Sequence, residues 1–327
     1  MTNRLKEFEE SEMKNNTQYV VGVDLGGTKI ATALLDQNGK VLQRVQYQTT
    51  KLKSAEEVID CLVSSVNEVR RDYPIVGVGV ASPGAVDTER GLILNGTNLP
   101  SWSNIPLQQE MESELKIPVR VVNDANAAAW GEYYAGAGKN SKTMVYVTIS
   151  TGIGSGIVLD GKLLLGCNGF AGELGHTSIG QEGPPCSCGQ IGCWEAYASG
   201  TSMARLAAEA AGKNVTLMTE LAAKDGTLIK AKHLFEAARL GDALACEVVD
   251  QVTDYVALGL KNVVHTFNPD CIVIGGGVSL AGDDLFSPVL EKTRKLVMKP
   301  YRDTFRIAPA LLGNDVGVVG AATLCFV

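Results

Sequence analysis

The chain has 327 residues, 45% of them hydrophobic and 20% charged, a balance that excludes a disordered protein and a length that suits one large or two medium-sized α/β domains. A net charge of −7, with both signs mixed along the chain, argues against the basic face that nucleic-acid binding needs, while still allowing an anionic substrate held by local amides and a lysine. No apolar run reaches the ~18 residues of a membrane span, and the polar stretch 1–18 lacks the apolar core of a secretion signal, so the cytoplasm is the expected location, with no membrane partner.

In chain order, Tyr19–Val23 reads as a short buried strand that runs into Asp24-Leu25-Gly26-Gly27-Thr28-Lys29. Ile30–Leu35 and Val41–Tyr47 follow as two further strands joined by an Asp36–Gly39 turn, which makes an antiparallel meander. Ser54, with Glu57 three residues later, predicts the cap of a helix reaching about Arg71, with Val58, Ile59, Leu62 and Val66 on its buried face. Ile75–Val80 is a buried strand that stops at Ser82-Pro83-Gly84, and Ile117–Val122 is another that stops at Asn123-Asp124.

The pattern then restarts. Thr143–Ile149 is a strand, Ser150 to Gly156 a glycine turn, Ile157–Leu159 a strand, and Asp160-Gly161 a hairpin leading to Lys162–Leu165. The two strand–glycine turn–strand units lie about 127 residues apart, which suggests two similar domains facing each other. From Thr201 to Asn268 the chain is helical, with Gly212, Gly226 and Gly241 as breaks. Cys271–Ile274 is a buried strand ending in Gly275-Gly276-Gly277. Arg306–Leu312 and an Ala/Val/Gly-rich helix over 313–327 close the chain.

Four groups of residues carry candidate chemistry. The glycines of Asp24–Lys29 lie between two strands, so neither a dinucleotide fingerprint nor a Walker loop fits. In a hairpin turn the amides near Gly26 and Gly27 can point at a phosphate, Thr28 and Lys29 add a hydroxyl and a charge, and Asp24 is placed to hold a hydrated Mg²⁺ with ATP. A plain tight hairpin is the competing explanation. The second turn, with Thr151, Gly152 and Gly154, repeats this design, and Gly276 and Gly277 can approach an adenine or ribose.

Asp124 ends a buried strand and precedes a helix of small residues, so it is the candidate general base for phosphoryl transfer to a hydroxyl. It can also serve as the N-cap of that helix. His176, Cys186, Cys188 and Cys193 have the spacing H-x9-C-x-C-x4-C, the donor set of a closed Cys₃His site for structural zinc. Glu173 and Glu195 flank this loop, and carboxylates held there can accept hydrogen bonds from adjacent sugar hydroxyls. His233 and His265 have no such company and read as core or surface histidines.

These residues together resemble the ROK family (repressors, open reading frames, sugar kinases). The matching pieces are DLGGTK at Asp24–Lys29, Asn123-Asp124, STGIGSG at Ser150–Gly156, GELGH at Gly172–His176 and CSCGQIGCWEAYASG at Cys186–Gly200. The resemblance implies an actin-like ATPase fold, two ribonuclease-H-like α/β domains around a central cleft. Its boundaries here are a polar extension over 1–18, an N-terminal domain over 19–135 completed by the helix at 313–327, and a C-terminal domain over 136–312 that carries the zinc loop.

It also implies ATP on the three glycine segments, Asp124 as base, and a sugar pocket built from Gly84, Asn98, Asn123, Glu173, His176 and Glu195. The implied activity is phosphorylation of a hexose, glucose to glucose 6-phosphate, by a homodimer or tetramer. An N-acetylhexosamine or fructose kinase is the alternative. Trp194 departs from the family pattern, standing where many relatives carry a smaller apolar residue. A sugar-sensing repressor fits poorly, because too few residues precede the first strand for a helix-turn-helix and they are net acidic.

Overall fold

The computed structural model describes residues 18–96, 102–212 and 214–326; Asn98 and residues 1–17 of the polar extension lie outside them. The described residues divide into two compact units, the first containing those up to Ala135, Leu165–Phe170 and those from Asn314 onward, the second those of Gly136–Leu164 and Ala171–Gly313.

In the first unit, β1 (Tyr19–Leu25), β2 (Lys29–Asp36) and β3 (Val41–Gln48) form the expected antiparallel meander. β1 and β2 are apolar on both faces and buried, whereas β3, with Gln43, Arg44 and Gln46, alternates between half-buried and exposed, as an edge strand does. Helix α1 (Ala55–Arg70) starts where Ser54 accepts the N–H of Glu57 at 3.2 Å. It turns Val58, Leu62 and Val66 to the core, while Ile59 is only half-buried.

Next come β4 (Ile75–Ser82) and a separate antiparallel sheet that the sequence pattern did not reveal, β5 (Ala85–Asp87), β6 (Leu92–Asn95) and β7 (Ser103–Ile105). Its strands are too short to show a period. Helix α2 (Leu107–Leu115), strand β8 (Val119–Asn123) and helix α3 (Asp124–Ala135) follow. The main sheet runs β3-β2-β1-β4-β8, with β1, β4 and β8 parallel.

The C-terminal helix Val316–Thr323 belongs to this unit and is apolar all round, which is the mark of a helix buried on every side. It rides directly on the sheet. A methyl group added to Gly22 would stand 1.9 Å from the carbonyl oxygen of Val318, and one on Gly79 1.8 Å from that of Ala321. The last helix is shorter than expected, because Gly313–Asp315 form a single 3₁₀ turn before it.

The second unit repeats the plan. β9 (Thr143–Ile149), β10 (Ile153–Leu159) and β11 (Lys162–Leu163) are antiparallel, and β12 (Cys271–Gly275) and β13 (Arg306–Pro309) continue the sheet in parallel, giving β11-β10-β9-β12-β13. Both sheets therefore place their strands third, second, first, fourth, fifth, and the spacing of the two glycine turns in the sequence follows from that duplication. Between β11 and β12 lie α4 (Trp194–Ala198), α5 (Gly200–Ala211), α6 (Leu217–Lys224), α7 (Ala231–Arg239) and α8 (Ala243–Phe267); α9 (Asp283–Leu296) follows β12. Gly212, Gly226 and Gly241 fall at the breaks, all with positive φ. Trp194 is fully buried, donates its indole N–H to the carbonyl of Tyr255 at 2.9 Å, and lies so close to Gly259 that a methyl there would be 1.9 Å from its ring. Gly259 thus makes room for the large residue.

Candidate functional site

In the first unit the β1–β2 turn is closed by the N–H of Gly26 on the carbonyl of Lys29 at 2.9 Å. Thr49 braces it from the end of β3: its hydroxyl donates to the carbonyl of Gly26 at 2.8 Å, and its N–H to that of Thr28 at 3.0 Å. Asp24, the penultimate residue of β1, is half-buried against the first turn of the C-terminal helix, where a methyl on Gly317 would meet its carboxyl carbon at 2.7 Å. Burial raises its pKa above the ordinary 3.8, and the positive charges of Lys29 and Arg44 pull the other way. Arg44 is itself paired with Asp315 at 2.5 Å. A half-buried carboxylate at the end of β1 is an oxygen donor of the kind a Mg²⁺ ion would take.

At the end of β8 two neighbours divide the work. Asn123 accepts the N–H groups of Ala125 at 2.9 Å and Asn126 at 3.2 Å, and its amide donates to the carbonyl of Gly84 at 3.1 Å. It is therefore Asn123 that caps α3, which corrects the expectation that Asp124 does so. Asp124 stands exposed in the first turn, with the N–H of Ala125 2.8 Å from its Oδ1. An anionic side chain is favoured there by the positive end of the helix. Asn123 and Gly84, both expected sugar contacts, are thus brought together, but through a bond that locks the loop.

The second glycine turn is shorter than its sequence suggests. Only Ser150 to Gly152 turns, with the N–H of Ser150 on the carbonyl of Gly152 at 2.9 Å; Gly154 is already in β10, opposite Thr148. Thr151 is exposed at the tip. Two other glycines meet this turn: the N–H of Gly200 donates to the carbonyl of Ser150 at 2.7 Å, and Gly276 presses on Ile149. Gly276 has φ 83°, and a methyl on it would lie 2.4 Å from the Ile149 carbonyl oxygen, so both backbone angle and space require glycine. Gly277 is exposed beside it.

Sequence reading missed what holds this turn. Glu195, on α4, accepts the N–H of Ile153 at 2.8 Å with one carboxylate oxygen and the hydroxyl of Ser187 at 3.2 Å with the other. No motif announces a bond between a backbone N–H and a side chain 42 residues away.

Four donor atoms converge beside Glu195. The imidazole of His176 and the sulfurs of Cys186, Cys188 and Cys193 lie within 4.8 Å of one another. His176 turns Nδ1 to the Cys186 sulfur at 3.6 Å, and the sulfurs of Cys188 and Cys193 are 3.6 Å apart. Zinc–sulfur bonds of about 2.3 Å in a tetrahedron separate sulfurs by about 3.8 Å, so the cluster has the size of a closed metal site. Burial pushes the Cys193 thiol up to about 12, with hydrogen bonding among the thiols adding to it, while the backbone N–H of Gln190 holds Cys188 below its usual value. A divalent cation bound there would reverse the penalty on Cys193 by taking the thiolate as a ligand. The far nitrogen of His176 faces Glu173 at 3.9 Å, beyond hydrogen-bond distance. His233, by contrast, is a core residue, 3.1 Å from Asp225 and accepting the N–H of Lys230 at 3.0 Å. No described helix is long and apolar enough to cross a membrane.

Comparison with known proteins sharpens this picture. The sequence profile of the ROK family matches residues 20–326. A glucokinase from Thermotoga maritima is 38% identical over 305 residues, 93% of this chain and 96% of that protein. An N-acetylmannosamine kinase from Salmonella newport is also 38% identical, over 93% of this chain and 97% of its own. The crystal structure of a ROK family glucokinase from Streptomyces griseus in complex with glucose and AMPPNP superposes with a TM-score of 0.78 at 36% identity, covering 94% of this chain and 98% of that one.

Proposed function

Because this chain belongs to the ROK family, we propose that it is an ATP-dependent hexose kinase that converts glucose to glucose 6-phosphate. The observation that carries this reading is the match, over nearly the whole of both chains, to a glucokinase whose structure holds glucose and an ATP analogue. The identity to an N-acetylmannosamine kinase is equal to that of the Thermotoga glucokinase, so an N-acetylhexosamine is the second substrate to test.

In this reading Asp124 is the general base. Its exposed carboxylate, on a helix whose cap is supplied by Asn123, orients the attacking sugar hydroxyl and accepts its proton as the bond to phosphorus forms. The phosphoryl group leaves ADP through a loose transition state, so positioning does most of the catalysis. On the first unit the β1–β2 turn offers Thr28 and Lys29 to phosphate, and on the second unit the Ser150–Gly152 turn and Gly276-Gly277 are the nucleotide contacts of this reading. Asp24 would hold a hydrated Mg²⁺, whose charge would neutralise the phosphates. His176, Cys186, Cys188 and Cys193 would hold a structural zinc, since four protein donors leave no open position. Held so, their loop would present Glu173 and Glu195 to the sugar hydroxyls in a fixed geometry. Self-association into a dimer or tetramer is part of the same reading and rests on family resemblance.

The test is an ADP-release assay with Mg-ATP and a panel of glucose, mannose, fructose, N-acetylglucosamine and N-acetylmannosamine, each run beside Asp124→Asn. Turnover with glucose, lost in the variant, supports the reading. Preference for an N-acetylated sugar moves the substrate, and silence from folded, zinc-loaded protein across the panel sinks it.

A further inference from the structure

Residues Ile153-Gly154-Ser155-Gly156 belong to strand β10, so the phosphate turn does not use all of the glycine-rich motif. Ser155 is only 5% exposed, and a buried hydroxyl must find partners. Its partners are the two peptide groups on either side of Glu173. The hydroxyl donates to the carbonyl of Gly172 and accepts the N–H of Leu174 at 3.2 Å.

The N–H of Leu174 also reaches the Gly172 carbonyl at 2.8 Å, and Glu173 has φ −75° and ψ 51°. Those are the marks of an inverse γ-turn with Glu173 at its apex. A second contact backs the same turn: a methyl on Gly175 would lie 2.2 Å from the carbonyl oxygen of Ile153, so β10 touches the loop backbone there as well. The N–H of His176 then closes on the carbonyl of Glu173 at 3.1 Å. The direction of an exposed side chain at a turn apex follows the φ and ψ of its own residue. A three-residue turn alone holds those angles through one bent hydrogen bond. Here one buried hydroxyl clips both flanking peptides.

We propose that Ser155 is a positioning residue for sugar binding, holding Glu173 in the inverse γ-turn that aims its carboxylate at the sugar hydroxyls. The inference rests on the hexose-kinase reading above and deepens it: one strand, β10, carries the phosphate turn at its start and sets a sugar-side carboxylate two residues further on.

The experiment is a double-mutant cycle on the full-length, zinc-loaded protein with Ser155→Ala, Glu173→Gln and the pair, reading the KM for glucose, the KM for ATP and zinc content. Ser155→Ala is expected to raise the glucose KM about three- to tenfold, the range that one neutral hydrogen bond supplies, with the ATP KM and zinc content unchanged. In the Glu173→Gln background the same change should add almost nothing, because its effect runs through Glu173. Ser155→Cys, close in size but a weak donor, should give the same ordering and guards against loss of fold in the alanine variant. A wild-type glucose KM in both Ser155 variants, or a full multiplicative effect on top of Glu173→Gln, overturns the positioning role while leaving the kinase intact. Wild-type protein that phosphorylates no hexose overturns the kinase reading itself and this inference with it.

Discussion

The carboxylate of Glu195 accepts the backbone N–H of Ile153 at 2.8 Å, and this bond ties the cysteine-rich loop to the second glycine turn. Glu195 follows Cys193 by two residues, while Ile153 is the first residue after the turn. A residue expected to touch only sugar is therefore also a strut of the second glycine turn.

Glu195→Ala should raise the KM for glucose and the KM for ATP together, each about tenfold or more, as loss of a hydrogen bond to a charged acceptor does. Glu173→Ala should raise the glucose KM alone. Steady-state kinetics with each substrate varied in turn separate the two. An ATP KM that stays at the wild-type value in Glu195→Ala removes the strut role.

Asn123 and Asp124 should part company in the same way. Asp124→Asn is expected to lower kcat by about 10²- to 10⁴-fold, the usual contribution of a general base, with little change in melting temperature because the cap is on its neighbour. Asn123→Ala should lose the cap and destabilise by about 1 kcal/mol. Paired kcat and calorimetric melting measurements check both, and a strongly destabilised Asp124→Asn protein would return the capping role to Asp124.

Metal analysis should find one zinc per chain, and Cys188→Ser or removal by a strong chelator should lower the melting temperature and raise the glucose KM. The four donors converge from a loop whose two anchors, Cys186 and Cys193, are buried, so losing the ion leaves a buried cluster of thiols without a centre. Identical melting and kinetics after verified metal removal would refute a structural zinc.

The Asp24 carboxyl, raised by burial, gives a pH dependence of definite sign. Burial favours its protonated form, so its contribution to folding is present below the ordinary value of 3.8 and is lost as pH rises through the raised one. The proposed Mg²⁺-holding role needs the ionised form and runs the opposite way. The KM for Mg-ATP should therefore climb as pH falls toward the raised value, at a pH above the ordinary 3.8. Asp24→Asn should bind Mg-ATP weakly at every pH with a flatter profile. A wild-type profile that is flat down to the ordinary carboxylate range contradicts the assignment.

What the sequence determined by itself was everything carried by local pattern and composition. The meander of β1 to β3 follows from apolar runs separated by glycine and Asn-Gly turns, and the second unit from the return of that pattern after Thr143. The donor cluster was legible because four candidate metal ligands lie within 18 residues, the composition of a closed Cys₃His set. Asp124 was legible as the acidic residue between a buried strand and a helix. Those are short-range facts, fixed by residue type and spacing.

Tertiary structure alone decided which neighbour of a motif does which job. Asn123 and Asp124 are equally good caps on paper; the cap went to Asn123 because the path of β8 into α3 points its amide at the helix N–H groups and at Gly84. Ser150 to Gly156 reads as one glycine turn, yet it splits after Gly152 because Ile153 onward pairs with β9. The sheet from β5 to β7 had strands of three and four residues, too short to show an alternation. The bonds from Glu195 to Ile153 and from Ser155 to the peptides around Glu173 join residues 17 to 42 positions apart. Such bonds have no signature in sequence, because a hydrogen bond needs two groups at about 3 Å, and only the folded chain sets that distance.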